Sequence, residues 1–128
     1  MQPPAVIIAD DHPVSMHLLQ HCLSSAGFRV LPATDGRQAL ELMAAVSPEF
    51  VILDVMMPVM DGLEVVRRAK ADERLRDIPV IMVTSREEDS DILEAMKLGA
   101  ADYLVKPFSP TEFLARVARL LEARRSAA

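Results

Sequence analysis

Apolar residues in this chain fall into two alternating patterns. Short unbroken runs occur at 6–9, 50–53 and 80–83, and each is followed at once by a polar residue: Asp10, Asp54 or Thr84. Runs of that length, rich in Val and Ile, read as strands buried on both faces. Segments with helical spacing lie between them. These carry Leu18, Leu19, Cys22 and Leu23; Ala39, Leu40, Leu42 and Met43; Leu63, Val65 and Val66; and Phe113, Val117, Leu120 and Leu121. The spacing predicts strands near 6–10, 29–33, 50–54, 80–84 and 102–105. It predicts helices near 14–26, from 36 onward, and at 62–71, 88–98 and 110–121. Punctuation agrees with these limits. Gly27 and Gly99 stop two helices, Asp35 with Gln38 begins one, and Ser109-Pro110 with Glu112 begins the last.

Five strand–helix alternations predict an α/β fold, a doubly wound parallel sheet with helices on both faces. The first, third and fourth strands are the most apolar and belong in the centre. That favours the flavodoxin-like order 2-1-3-4-5, with a topological switch point between strands one and three. Open sheets of this kind bind ligands at the carboxyl ends of their strands, beside the switch point. Asp10 and Asp11 end the first strand, Asp54 ends the third, and Lys106 follows the fifth. Three acids and a lysine converging there suit a divalent cation and a phosphoryl group. Two carboxylates about 4 Å apart repel by roughly 4 kcal/mol at an effective dielectric near 20, so the acids call for a cation.

Composition narrows the classes. The 128 residues fit one domain, with its core at about 5–122 and a tail or linker start at 123–128. Hydrophobic content is 51% with only 4% aromatic, so the core is aliphatic. A net charge of −5 argues against direct nucleic-acid binding. One cysteine, Cys22, cannot form an intrachain disulfide, and it lies on the apolar face of its helix. No apolar stretch approaches the ~18 residues of a membrane span, and no secretory leader is evident. A cytoplasmic protein without membrane association is the simplest expectation.

With Asp10-Asp11, Asp54-Val55-Met56-Met57-Pro58, Asp61-Gly62, Thr84-Ser85, Gly99-Ala100-Ala101-Asp102-Tyr103 and Lys106-Pro107-Phe108 in this order, the chain closely resembles the receiver domain of two-component response regulators. The resemblance implies that Asp54 is the phosphoacceptor, taking its phosphoryl group from a phosphohistidine on a sensor histidine kinase or a phosphotransfer protein. It implies Mg²⁺, with Mn²⁺ able to substitute, held by Asp11, Asp54 and the Met56 carbonyl, and by Asp10 through a water. The resemblance also implies that Thr84 and Lys106 bind phosphoryl oxygens, and that Pro107 follows a cis peptide that helps aim the lysine. It implies a switch formed by Thr84 and Tyr103, with Met56 and Arg86 tuning phosphoryl lifetime. The surface of the fourth helix, fifth strand and fifth helix would then signal to a downstream effector or a C-terminal output domain. The expected module is a signalling domain that promotes its own phosphorylation and dephosphorylation rather than an enzyme.

The chain departs from the family pattern at Met16, where many members carry Arg, and at Ala101, where dimerising members carry an acid. A homodimer through the signalling surface, with Glu112, Arg116 and Arg119 pairing across it, is still an open expectation. Blander readings stand beside these. Asp10 or Asp11 can cap the first helix, Tyr103 can be an ordinary sheet-edge residue, and His17 and His21 lack a third metal ligand. Three other functions compete with this reading. An aspartyl-phosphate phosphatase would carry Asp-x-Asp after the first strand, where this chain has Asp10-Asp11-His12. A flavin carrier would carry a Ser/Thr/Gly-rich loop there. A receiver-fold interaction module that ignores phosphorylation would not need the complete acidic and basic set.

Overall fold

The computed structural model describes residues 3–85 and 89–127. Among these, strands and helices alternate as β1 (Ala5–Ala9), α1 (Pro13–Ser25), β2 (Arg29–Ala33), α2 (Gly36–Val46), β3 (Phe50–Asp54), α3 (Gly62–Ala71), β4 (Val80–Thr84), α4 (Asp89–Leu98), β5 (Asp102–Val105) and α5 (Pro110–Ala127). The strands form one parallel sheet in the expected order, β2-β1-β3-β4-β5. Every residue of β3 and β4 is buried, and β1 is buried from Val6 onward. On β2, by contrast, Arg29 and Pro32 are exposed. Proline cannot donate to a ladder, which suits β2 to the sheet edge.

The two-residue period of a strand divides the core. Ile7, Ala9, Val51, Leu53, Val80 and Met82 share one cluster with Ala39 and Met43 of α2 and Val65, Val66 and Ala69 of α3. Val6, Ile8, Phe50, Ile52, Ile81, Val83 and Leu104 share the other with Leu19, Cys22 and Leu23 of α1 and Phe113 and Val117 of α5. The two layers of helices thus pack on opposite faces of the sheet.

Helix starts follow local chemistry. Asp35 Oδ1 accepts the Gln38 N–H at 2.9 Å, and Gln38 Oε1 reaches back to the Thr34 N–H at 2.9 Å. Asp61 caps α3 through the Glu64 N–H at 2.9 Å, and Ser109 Oγ caps α5 through the Glu112 N–H at 3.0 Å. The start of α1 differs from the capping reading. His12 occupies its N-cap without a side-chain bond. Asp10 instead accepts the His12 N–H at 2.8 Å, which ties the carboxylate to the loop before the helix. The end of the last helix also differs, because α5 continues past 121 to Ala127. Arg124 Nη1 donates to the Glu49 carbonyl at 2.5 Å, holding this last turn against the loop before β3. The start of the fourth helix at 88 falls outside the described residues.

Phe113 anchors α5. It is fully buried, and its ring centroid lies 5.8 Å from that of Phe108. Phe113→Ala is expected to lower unfolding stability by about 3–5 kcal/mol, read as an earlier urea midpoint with an unchanged m value.

Candidate functional site

Strand register brings the acids together. Ala9 of β1 lies opposite Leu53 of β3, so Asp10 and Asp54 come next, side by side. Both continue the alternation of Val6 and Ile8, and of Phe50 and Ile52, toward the α1 and α5 face. Lys106 follows Leu104 in the same phase, just past the end of β5. The Lys106 ammonium lies 3.0 Å from Asp10 Oδ2 and 3.0 Å from Asp54 Oδ2. The three side chains are 14%, 1% and 6% exposed in that order, so this bridge is largely out of water.

The remaining oxygen of each carboxylate is held by its own loop. Asp10 Oδ1 accepts the His12 N–H at 2.8 Å, and Asp54 Oδ1 accepts the Met56 N–H at 3.1 Å. Asp11 is exposed at the mouth. One oxygen from each of Asp10, Asp11 and Asp54 lies within 4.8 Å of the others. At that separation each carboxylate pair repels by about 3–4 kcal/mol at an effective dielectric near 20. Lys106 offsets one negative charge of three. The donor set, three hard carboxylate oxygens around an uncompensated charge, fits a divalent cation such as Mg²⁺. Behind Asp54, a Cβ on Gly62 would lie 2.3 Å from the Asp54 carbonyl oxygen, so only glycine lets α3 begin so close to the end of β3.

Burial and charge compete at this bridge. Burial pushes the Asp54 carboxyl above the usual carboxylate range. Lys106 and the Met56 N–H pull it back, and the Asp10 charge adds to the rise. Burial by itself would lower Lys106, but its bonds to Asp54 and Asp10 hold the ammonium above its ordinary value. The lysine therefore stays charged, which the convergence of acids requires.

The predicted switch residues lie on the other face of the sheet. Thr84 continues the phase of Val80 and Met82, is 2% exposed, and pairs in register with Val105. Tyr103 pairs in register with Met82 and packs against the cluster on the α2 and α3 side. The Arg116 guanidinium sits 5.9 Å from the Tyr103 ring centroid. Arg116 also binds Asp102 Oδ1 at 2.8 Å, and Arg119 binds Asp102 Oδ2 at 2.9 Å. The two arginines expected to pair across a dimer thus serve an aspartate of their own chain. Sequence reading missed this cluster, although arginines three residues apart on one helix mark a shared face.

Other candidates are placed as follows. Met56 is 50% exposed beside the acids. Arg86 lies outside the described residues. The Lys106–Pro107 peptide is cis, as the resemblance implied. Cys22 is buried in the α1 layer, and burial pushes its thiol up, consistent with a small hydrophobe. His17 and His21 are both exposed. Next to Lys106, a cavity of about 500 Å³ is lined by Val14, Ser15, Leu18, Ser85, Pro107 and Phe108. No helix among the described residues is long and apolar enough to cross a membrane.

Comparison with known proteins agrees with this geometry. The family model of the response regulator receiver domain matches residues 6–118. This chain belongs to that family, and it is a receiver domain, a signalling module of two-component systems. It is 37% identical over 123 residues to the alkaline phosphatase synthesis transcriptional regulatory protein PhoP of Bacillus subtilis (strain 168), covering 96% of this chain and 50% of that protein. Among solved structures, the chemotaxis response regulator CheY4 of Vibrio cholerae superposes with a TM-score of 0.85 at 32% identity, over 92% of this chain and 98% of that one. The receiver domain of sensor histidine kinase PA1611 from Pseudomonas aeruginosa PAO1, solved with a magnesium ion in its active-site cleft, gives 0.84 at 29% identity, over 91% and 96%. The chain spans about half the length of the curated relatives it matches.

The Asp102 cluster generates a pH prediction. Burial alone would raise the Asp102 carboxyl, but Arg119, the Tyr103 N–H and Arg116 together hold it below its ordinary value. A carboxyl depressed on folding stabilises the fold above its unfolded pKa of about 3.9, and that stability is lost as pH falls through the folded value. Asp102→Asn is expected to cost about 1–2 kcal/mol at pH 7. The gap from wild type should close as pH falls below about 4 in urea titrations run across pH.

Proposed function

We propose that Asp54 accepts a phosphoryl group from a phosphohistidine on a sensor histidine kinase or phosphotransfer protein. The observation that carries this reading is the buried Lys106 ammonium spanning Asp10 and Asp54, at 3.0 Å each, beside the exposed Asp11 carboxylate. In this reading an Asp54 carboxylate oxygen attacks phosphorus, the new O–P bond forms as the donor's N–P bond breaks, and the imidazole leaves. Lys106 exchanges a carboxylate partner for a phosphoryl oxygen, so its charge follows the charge that moves. Thr84 donates its hydroxyl to another oxygen.

Asp11, Asp54 and the Met56 carbonyl would hold Mg²⁺ directly, and Asp10 through a water, with Mn²⁺ as a substitute. Bound there, the cation supplies positive charge to the transferred group, where positioning and electrostatics carry most of the catalysis. Residues 1–128 act as one receiver domain that promotes its own phosphorylation and dephosphorylation.

Thr84 and Tyr103 share the face of the sheet opposite the acids, which supports a switch relayed from phosphoryl group to threonine to tyrosine. The readout is the α4, β5 and α5 surface, where Leu93 and Met96 are exposed at 56% and 41%. A C-terminal output domain or separate effector reads that surface, and a homodimer forms there once Arg116 and Arg119 exchange partners. The donor docks where α1, which carries no Asp, Glu, Lys or Arg, borders the cavity next to Lys106. The cytoplasm is the compartment of such a pair, and the net charge of −5 leaves nucleic acid to other domains.

Intact mass after incubation with acetyl phosphate tests the acceptor. Wild type with Mg²⁺ is expected to gain one phosphoryl group, and omission of Mg²⁺ or Asp54→Asn to abolish the gain. No adduct on folded, Mg²⁺-bound wild type would sink the reading. Met56 and Arg86 set the lifetime of the phosphoform. The exposed Met56 thioether orients water poorly, so Met56→Asn is expected to speed decay of the purified phosphoform several-fold, followed by the loss of that mass over time.

A further inference from the structure

The loop between β3 and α3 is pinned at both ends. The Gly62 N–H donates to the Val55 carbonyl at 2.9 Å, closing its base. Its far side rests on the start of α2. A Cβ on Gly36 would lie 2.3 Å from the Met60 carbonyl oxygen and 2.6 Å from Val65 Cγ2, so the two backbones touch there. Between these points the chain reverses within three residues. The Met60 N–H donates to the Pro58 carbonyl at 2.7 Å, with Val59 at φ 69°. A three-residue turn with positive φ at its centre is the rare, strained form, and a β-branched residue there is an outlier. Val59 is 79% exposed, so packing of its side chain does not compensate the strain. The conformation holds because the surroundings over-determine it.

We infer that Gly36 and the Val59 turn position the Met56 carbonyl, making Gly36 a positioning residue for the cation site although it touches none of the acids. This inference rests on the Mg²⁺ reading above, in which that carbonyl is a ligand. Pro58 has a fixed φ and the next turn is closed, so residues 57–60 move as one piece. A displacement of Met60 therefore passes toward Met56 instead of being absorbed. Gly36→Ala forces such a displacement, because a Cβ does not tolerate a neighbour nearer than 3.0 Å. Val59→Gly keeps both anchoring contacts but releases the strain and slackens the piece.

The test is Mg²⁺ affinity by calorimetry on wild type, Val59→Gly and Gly36→Ala, together with melting temperatures measured without Mg²⁺. Val59→Gly is expected to melt no lower than wild type yet to bind Mg²⁺ about threefold more weakly. Gly36→Ala is expected to melt lower and to bind about tenfold more weakly. A shared loss of affinity with unlike melting shifts separates positioning from general stability. Unchanged Mg²⁺ affinity in Val59→Gly overturns the inference, and does so even if Gly36→Ala fails to fold. A folded wild type that binds no Mg²⁺ overturns the cation reading itself, an outcome distinct from variants that bind as wild type does.

Discussion

The bridge from Lys106 to Asp10 and Asp54 is the constraint around which this molecule is arranged. Two carboxylates that are 1% and 6% exposed share one ammonium at 3.0 Å each. Left unpaired, either charge would be expensive to bury. The lysine follows β5, while the acids stand at the ends of β1 and β3, with β4 lying between β3 and β5. Reaching across a strand takes a long side chain, and the order of the sheet decides which residue can do it.

The strand period also divides the polar residues between the two faces. Asp10, Asp54 and Lys106 point toward the α1 and α5 layer, while Thr84 and Tyr103 follow the opposite phase. Thr84 ends β4, the strand next to β3, and Tyr103 sits on β5 opposite Met82. From the α5 side Arg116 joins the Tyr103 ring to Asp102, which shares the phase of Leu104, and Arg119 adds a second bond to the same carboxylate. Strand β5 and helix α5 are therefore coupled electrostatically next to the ring that the switch would move.

Much of this was legible along the chain because it is local. Apolar runs ending in Asp54 and Thr84 marked the central strands, and Asp35 and Ser109 marked helix starts that carry their cap bonds. Where a polar residue had several partners within reach, local reading fell short. Asp10 was a plausible cap for α1 but is taken up by the His12 N–H and Lys106. Arg116 and Arg119 were plausible dimer contacts but meet Asp102 first. The last helix runs past its predicted end, and nothing in the local composition announces the Glu49 carbonyl that Arg124 reaches.

The sequence by itself determined the strands and helices, their alternation, the most apolar strands that had to be central, and the kinds of side chain gathered at the strand ends. Period and capping act over a few residues, so they can be read in order. Only the tertiary structure decided the contacts: which oxygen faces Lys106, which carbonyl touches Gly36, and which arginines hold Asp102. Lys106 lies 96 residues from Asp10 and 52 from Asp54. Distances of that kind along the chain become 3.0 Å only through strand order and register, which belong to the whole sheet and to no single segment.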